Sequence, residues 1–78
     1  MTKPFKFEYG QTVQVVASAP ARLQPGSQVA VVGMTELDQN LKLLDALYPA
    51  GTHIYLIEYA DGKSIEAPPE YLEDVKEQ

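Results

Sequence analysis

The sequence predicts a mainly β fold, a small five-stranded barrel with a short helical insertion between its second and third strands. Several short segments alternate apolar and polar residues with the period of two that indicates a strand with one buried face. Five glycines and six prolines divide the chain into pieces of strand length. With 78 residues, the chain is expected to form a single domain with one thin core.

The first two predicted strands lie on either side of a long loop. In TVQVV, Val13 and Val15 alternate with polar neighbours. Two prolines and a Pro-Gly pair in residues 17–27 then interrupt the strand pattern, and we expect Leu23 to return its side chain to the core. The valine-rich stretch QVAVVGMTEL is the second strand, with Gly33 where a barrel strand bends or takes a bulge.

A change of period predicts the helical insertion over residues 38–47. Leu41, Leu44 and Leu47 fall three residues apart, and Asp38 occupies the position of an N-cap. The proline and glycine of the following YPAG stretch end the helix. A helix of about ten residues does not persist alone, so its leucines are expected to dock on the barrel.

The third and fourth strands are predicted to form a hairpin. THIYLIEYA and KSIEA flank Asp61-Gly62, a strong hairpin signal because both central turn positions accept positive φ. One face of the third strand carries two tyrosines and an isoleucine, and the other carries Ile54, Leu56 and Glu58. Both faces are therefore partly apolar.

A tight turn over residues 70–72 and a short strand over residues 72–75 are expected to close the barrel. The run PEYLEDV at residues 69–75 resembles the turn that closes SH3 domains, and IYLIEYADG resembles the strand and turn of Tudor-like and KOW-like barrels. The chain as a whole resembles small bacterial SH3-like barrel proteins, some of them encoded beside toxins as immunity factors. The resemblance implies an SH3-like barrel.

Charge is unevenly distributed along the chain. The formal net charge is −5, and residues 58–78 hold seven of the eleven acidic residues but only two of the six basic ones. Nucleic-acid binding requires clustered Lys and Arg, and no such cluster exists in the sequence. The acidic segment indicates either a solubility device or a surface for a basic partner.

The predicted function is that of a protein-interaction module, either an adaptor or an immunity-type inhibitor that covers a basic partner surface. An acidic face speeds encounter with a cationic partner and makes the association rate fall as salt rises. Aromatic side chains are expected to supply the anchors. The predicted partner-binding residues are Tyr48, Tyr71, Glu58, Asp61, Glu66, Glu70, Glu73 and Asp74.

Two other functions remain open. The two-sided apolar third strand and the leucines of the insertion also suit a homodimer or larger homo-oligomer that binds a small molecule in a pocket between barrels. A structural or accessory domain without autonomous activity is the third possibility. Light scattering separates the oligomer from a monomeric interaction module.

Two binding modes of related barrels fit the sequence less well. A polyproline groove uses Tyr and Trp side chains together with acidic residues of a neighbouring loop. This chain has no tryptophan, and the only charged residue of its long loop is the basic Arg22. A cage for a methylated lysine would draw on Tyr55, Tyr59 and Tyr71 with Glu58. Tyrosines of a barrel strand are more often core or rim residues.

No enzyme activity, cofactor or metal site is predicted. The sequence has no cysteine, and its only histidine, His53, is expected to be a partly exposed residue at the start of the third strand. Glu58 and Glu66 are expected to face each other across the hairpin, which is a weak signal for acid–base chemistry.

The segment around Met1 lacks the layout of a signal peptide, and no apolar run approaches the roughly 20 residues that cross a bilayer. The absence of cysteine suits a reducing compartment. The sequence therefore predicts a soluble, cytoplasmic protein without a membrane partner.

Overall fold

A computed structural model describes residues 5–44 and 46–75 and shows a mainly β protein. Two 3₁₀ turns, Ala21–Leu23 and Pro69–Tyr71, precede β2 and the last strand. The strands are β1 (Thr12–Val15), β2 (Gln28–Glu36), β3 (Leu41–Leu43), β4 (Ala46–Tyr48), β5 (His53–Glu58), β6 (Ser64–Ala67) and β7 (Leu72–Asp74).

Five of the strands form one antiparallel sheet in the order β6-β5-β2-β1-β7. They match the five strands that the sequence predicts. The strands β6 and β7 are the two edges, and within the described residues no backbone ladder joins them. The sheet is thus open in its hydrogen bonding.

Strand β2 is long and irregular in its middle. Its pairing with β5 shifts register between Val31 and Gly33, which confirms the bulge predicted there. Gly33 lies opposite Leu56, and a Cβ atom added at Gly33 would lie 3.3 Å from the Leu56 Cβ atom. This contact is tighter than most Cβ contacts, so Leu56 would have to shift by a few tenths of an ångström to accept a larger residue at Gly33.

The helix predicted over residues 38–47 is wrong, because this segment forms the hairpin β3–β4. Leu41 pairs with Tyr48, and the φ of Leu44 is 54°, in the left-handed region that a helix interior cannot use. Hydrogen bonds from Leu37 N to Thr52 O and from Gly51 N to Leu37 O continue the β2–β5 pairing toward the hairpin. A helix of about ten residues is marginal by itself because helix nucleation is costly, whereas the hairpin extends antiparallel pairing that β2 and β5 have already established.

The turn between β5 and β6 also differs from the predicted one. Tyr59 N donates to Lys63 O and Gly62 N donates to Tyr59 O, so the loop has three residues. Only Gly62, with a φ of 88°, has positive φ in this turn. The geometry is that of a type I turn followed by a left-handed glycine, one of the common hairpin loops.

The core lies on one face of the sheet and includes residues from both loops and strands. Leu23 is fully buried, which confirms its predicted return from the long loop. Phe7 is buried as well, because the segment before β1 packs against the face of β5 that carries Tyr55 and Ile57. The buried cluster consists of Phe7, Val13, Val15, Ala19, Leu23, Val29, Val31, Tyr55, Ile57, Tyr59, Ala67 and Leu72.

None of the helical segments among the described residues is long and apolar enough to cross a membrane.

Candidate partner-binding surface

Three of the predicted partner-binding residues meet where the β3–β4 hairpin reaches the second 3₁₀ turn. The hydroxyl of Tyr48 donates to Oε2 of Glu70 at 3.2 Å. Tyr48 is only 8% exposed, and the half-buried Tyr71 packs against the core cluster. The hydrogen bond between Tyr48 and Glu70 therefore connects the β3–β4 hairpin to the 3₁₀ turn that leads into β7. Glu70 itself remains exposed.

The environment of Tyr48 disfavours its ionised form. Burial raises the pKa of Tyr48 to about 12, and the negative charge of Glu70 and the hydrogen bond to it act in the same direction. Burial also raises the pKa of Tyr59. Both hydroxyls act as donors, Tyr59 toward the Leu23 carbonyl at 2.6 Å.

We expect alkaline pH to destabilise the protein partly through Tyr48. Because its pKa is higher in the folded chain than in the unfolded one, the stability it contributes is fully present below about pH 10 and is lost as pH rises through about 12. Tyr48→Phe should therefore show a smaller loss of unfolding free energy than wild type between about pH 9 and about pH 12, measured by urea unfolding. Tyr9→Phe, at a residue 72% exposed, should retain the wild-type loss. An equal loss in wild type and Tyr48→Phe would contradict the assignment.

Three predicted acids lie on the β5–β6 hairpin. Glu58 and Glu66 are exposed on the same face, but Glu58 pairs with Ser64 and Glu66 with Leu56. They are therefore diagonal neighbours, and the expectation that they face each other directly is wrong. Asp61 is exposed in the turn, where its Oδ1 atom accepts a hydrogen bond from Lys63 N at 3.0 Å.

The last two predicted acids lie on β7, at the opposite edge of the sheet order. Glu73 is half-buried opposite Gln14. The exposed Asp74 accepts a hydrogen bond through its Oδ1 atom from Nε2 of Gln11 at 3.3 Å. The structure thus distributes the six acids over the β5–β6 hairpin, the second 3₁₀ turn and β7.

Among the described residues, these carboxylates have no lysine or arginine partner within 4.0 Å. In residues 5–44 and 46–75, the only contact within 4.0 Å between a basic side chain and a carboxylate joins His53 Nε2 and Glu36 Oε1, at 3.4 Å. No described lysine or arginine neutralises an acid at that distance. Within the described part of the chain, the exposed carboxylates are therefore open to solvent or to a partner.

His53 lies where the sequence predicts, as the half-buried first residue of β5. Its ring stacks on Phe5 with centroids 4.0 Å apart and a tilt of 31°. In the part of the chain that the structure describes, no three His, Asp or Glu side chains converge as a set of metal ligands.

Two features of this surface are absent from the predicted set. Phe5 and Phe7 cover His53 and Tyr55, and their alternation with Lys6 and Glu8 is a strand-like signal that could have revealed an ordered segment. The second feature is an open groove of about 370 Å³ beside Asp61. No short sequence pattern indicates this groove, because residues of two distant loops form it.

The residues of the hypothetical aromatic cage are not arranged as an open cage. Tyr55 is fully buried and Tyr59 is 9% exposed. The hydroxyl of Tyr55 accepts hydrogen bonds from Lys6 N at 2.8 Å and from Phe7 N at 3.3 Å. These two rings belong to the core.

No family model, curated protein or solved structure matches this chain. The features that bear on its function are therefore its own charges, hydrogen bonds and groove.

Proposed function

We propose that this protein is a non-enzymatic interaction module of SH3-like architecture, which covers a basic surface of a protein partner with its exposed carboxylates. The architecture is supported by five antiparallel strands, by the bulge at Gly33 and by the 3₁₀ turn Pro69–Tyr71 before β7. That turn lies within the run that resembles the closing turn of SH3 domains.

The observation that carries the proposal is the lack of basic partners for the exposed carboxylates in the described residues. Exposed acids that are not neutralised produce a negative potential, which attracts a cationic surface and raises the association rate. The excess of acids in residues 58–78 spreads this potential over the β5–β6 hairpin, the second 3₁₀ turn and β7. An inhibitor of the immunity type uses this charge to reach its target quickly.

The proposal predicts a salt-sensitive partner. The immobilised protein should retain a basic protein from a lysate of its native host at about 25 mM salt and release it at about 300 mM, because screening shortens the range of the attraction. Glu58→Gln/Glu66→Gln should slow association with that partner several-fold while changing dissociation less. Surface plasmon resonance with the purified partner measures both rates.

A matched variant tests whether position matters as well as total charge. Glu8→Gln/Asp38→Asn removes two exposed carboxylates elsewhere on the chain, and it should leave association close to that of the wild type. Equal slowing by both double variants would indicate attraction by net charge alone. Retention that does not change with salt would contradict the proposal.

The alternative, a homo-oligomer with a small-molecule pocket between barrels, has a narrower basis. Ile54, on the second apolar face of β5, is already 1% exposed within one chain. Leu41 and Leu47 of the β3–β4 hairpin are exposed, and this exposure favours the alternative. A monomeric mass by light scattering at tens of micromolar would remove the intersubunit pocket.

A further inference from the structure

The groove beside Asp61 joins two loops that are far apart in sequence. One wall comes from the end of the long loop and the start of β2, and the other from the β5–β6 turn. Its volume is about 370 Å³, within the range of pockets that hold small groups. The lining residues are Gln24, Ser27, Gln28, Tyr59, Ala60 and Asp61.

Backbone and side-chain hydrogen bonds hold both walls in place. Ser27 N donates to Gln24 O at 3.1 Å, which closes a turn beneath the first wall. The Tyr59 hydroxyl donates to Leu23 O at 2.6 Å and links the two walls. On the second wall, the bond from Lys63 N fixes one oxygen of Asp61. The groove is thus preformed, which lowers the entropic cost of binding.

The polar side chains of this groove have unused acceptor capacity. Asp61 Oδ1 accepts one backbone hydrogen bond, and a carboxylate has about four acceptor positions. The side chains of Gln24, Ser27 and Gln28 make no hydrogen bond to any residue that the structure describes. Lys63, although it belongs to the same turn, forms no ion pair with Asp61.

We propose that this groove receives an arginine side chain of the basic partner, an inference that rests on the proposed function and specifies one of its contacts. A guanidinium group carries five N–H donors and no acceptor. It matches the carboxylate of Asp61 together with the amide and hydroxyl oxygens of Gln24, Gln28 and Ser27. Tyr59, whose ring belongs to the core, fixes the wall of the groove through its hydrogen bond to Leu23 O and is not part of the proposed contact with the cation.

The charge of the proposed arginine site lies on a different loop from the one that would carry the acids of a polyproline groove. Among the described residues that line it, only Asp61, in the β5–β6 turn, is charged. The long loop supplies amide and hydroxyl groups and no carboxylate. The proposed contact is therefore a single charge-assisted anchor within a broader acidic surface.

Titration of the ¹⁵N-labelled protein with N-acetyl-L-arginine amide tests this contact directly. Saturable shifts should be confined to the backbone and side-chain amides of Gln24 and Gln28 and to the backbone amides of Ser27, Ala60 and Asp61. N-acetyl-L-citrulline amide has nearly the same size but no charge, and it should bind about tenfold more weakly. Equal shifts with both compounds, or no saturation with arginine amide, would overturn the proposal.

Two variants separate the groove from general attraction. Asp61→Asn keeps the Oδ1 acceptor for Lys63 N but removes the charge, and it should weaken binding of arginine amide about tenfold. Asp38→Asn removes an exposed carboxylate that lies outside the groove lining, and it should bind arginine amide as the wild type does. Equal weakening by both variants would contradict the role of the groove.

The outcomes distinguish this contact from the proposed function. Retention of a basic partner without shifts at the groove would overturn the arginine contact and leave the interaction module standing. If arginine amide binds saturably but no salt-sensitive partner is found, the proposed function as an interaction module would be contradicted. The claim that the arginine comes from a protein partner would then be contradicted too. Tighter binding of free L-arginine than of its blocked amide would assign the groove to the amino acid itself and overturn the docking contact.

Discussion

Leu23→Ala should lower the free energy of unfolding by about 2–5 kcal/mol, because it leaves a cavity where a fully buried leucine now fills the core. Leu23 is the residue through which the first 3₁₀ turn enters the core cluster. In a domain of this size, each 1 kcal/mol corresponds to a fall of roughly 4–8 °C in Tm. Urea unfolding and calorimetry measure the two quantities.

Leu47→Ala provides a matched control for this change. Leu47 is 69% exposed, so its truncation should alter stability by no more than about 0.5 kcal/mol. If Leu23→Ala is too unstable to purify, Leu23→Val should fold with a smaller loss, since it removes less volume. Similar stabilities of Leu23→Ala and Leu47→Ala would mean that the long loop is not packed into the core.

Tyr55→Phe should cost about 1–3 kcal/mol of unfolding free energy although it removes a single oxygen atom. That oxygen accepts the N–H groups of Lys6 and Phe7. Phe7 and Tyr55 are both buried, so the Phe7 amide would lose its partner in a place that water does not reach. In Tyr55→Phe, hydrogen exchange at the Lys6 and Phe7 amides should be faster than in the wild type, and this increase should exceed any increase at the amides of the β1–β2 ladder.

Tyr9→Phe is the appropriate comparison for Tyr55→Phe. Tyr9 is 72% exposed, and its loss of a hydroxyl should leave both stability and amide exchange close to the wild type. Unchanged exchange at Lys6 and Phe7 in Tyr55→Phe would contradict the role of the Tyr55 hydroxyl in holding the segment before β1.

The strands were predictable because their signals are local. Alternation placed Val13 and Val15 in the core, and Gly33 marked the irregularity of β2. The outward positions of Glu58 and Glu66 follow from the same period of two. Their diagonal offset does not, because it depends on the three-residue loop, whereas a two-residue Asp61-Gly62 turn would have placed Glu58 opposite Ile65.

The β3–β4 hairpin was not predictable because its leucines serve two patterns. Leu41, Leu44 and Leu47 fit one face of a helix, but in the structure Leu44 lies at the turn and Leu47 points away from the core. Tertiary interactions decide the outcome, since Tyr48 reaches Glu70. The groove beside Asp61 was hidden for a similar reason, as its walls meet only in the folded chain.

The pairing of β1 with β7 has a consequence for biosynthesis. Val13 lies opposite Asp74 and Val15 opposite Leu72, so β1 is synthesised about 60 residues before β7, the strand that pairs with it here. Contacts of such long sequence separation slow folding, and a nascent chain that ends before residues 72–74 lacks the strand that borders β1. The amides of β1 that pair with β7 should therefore become protected only once residues 72–74 have left the ribosome.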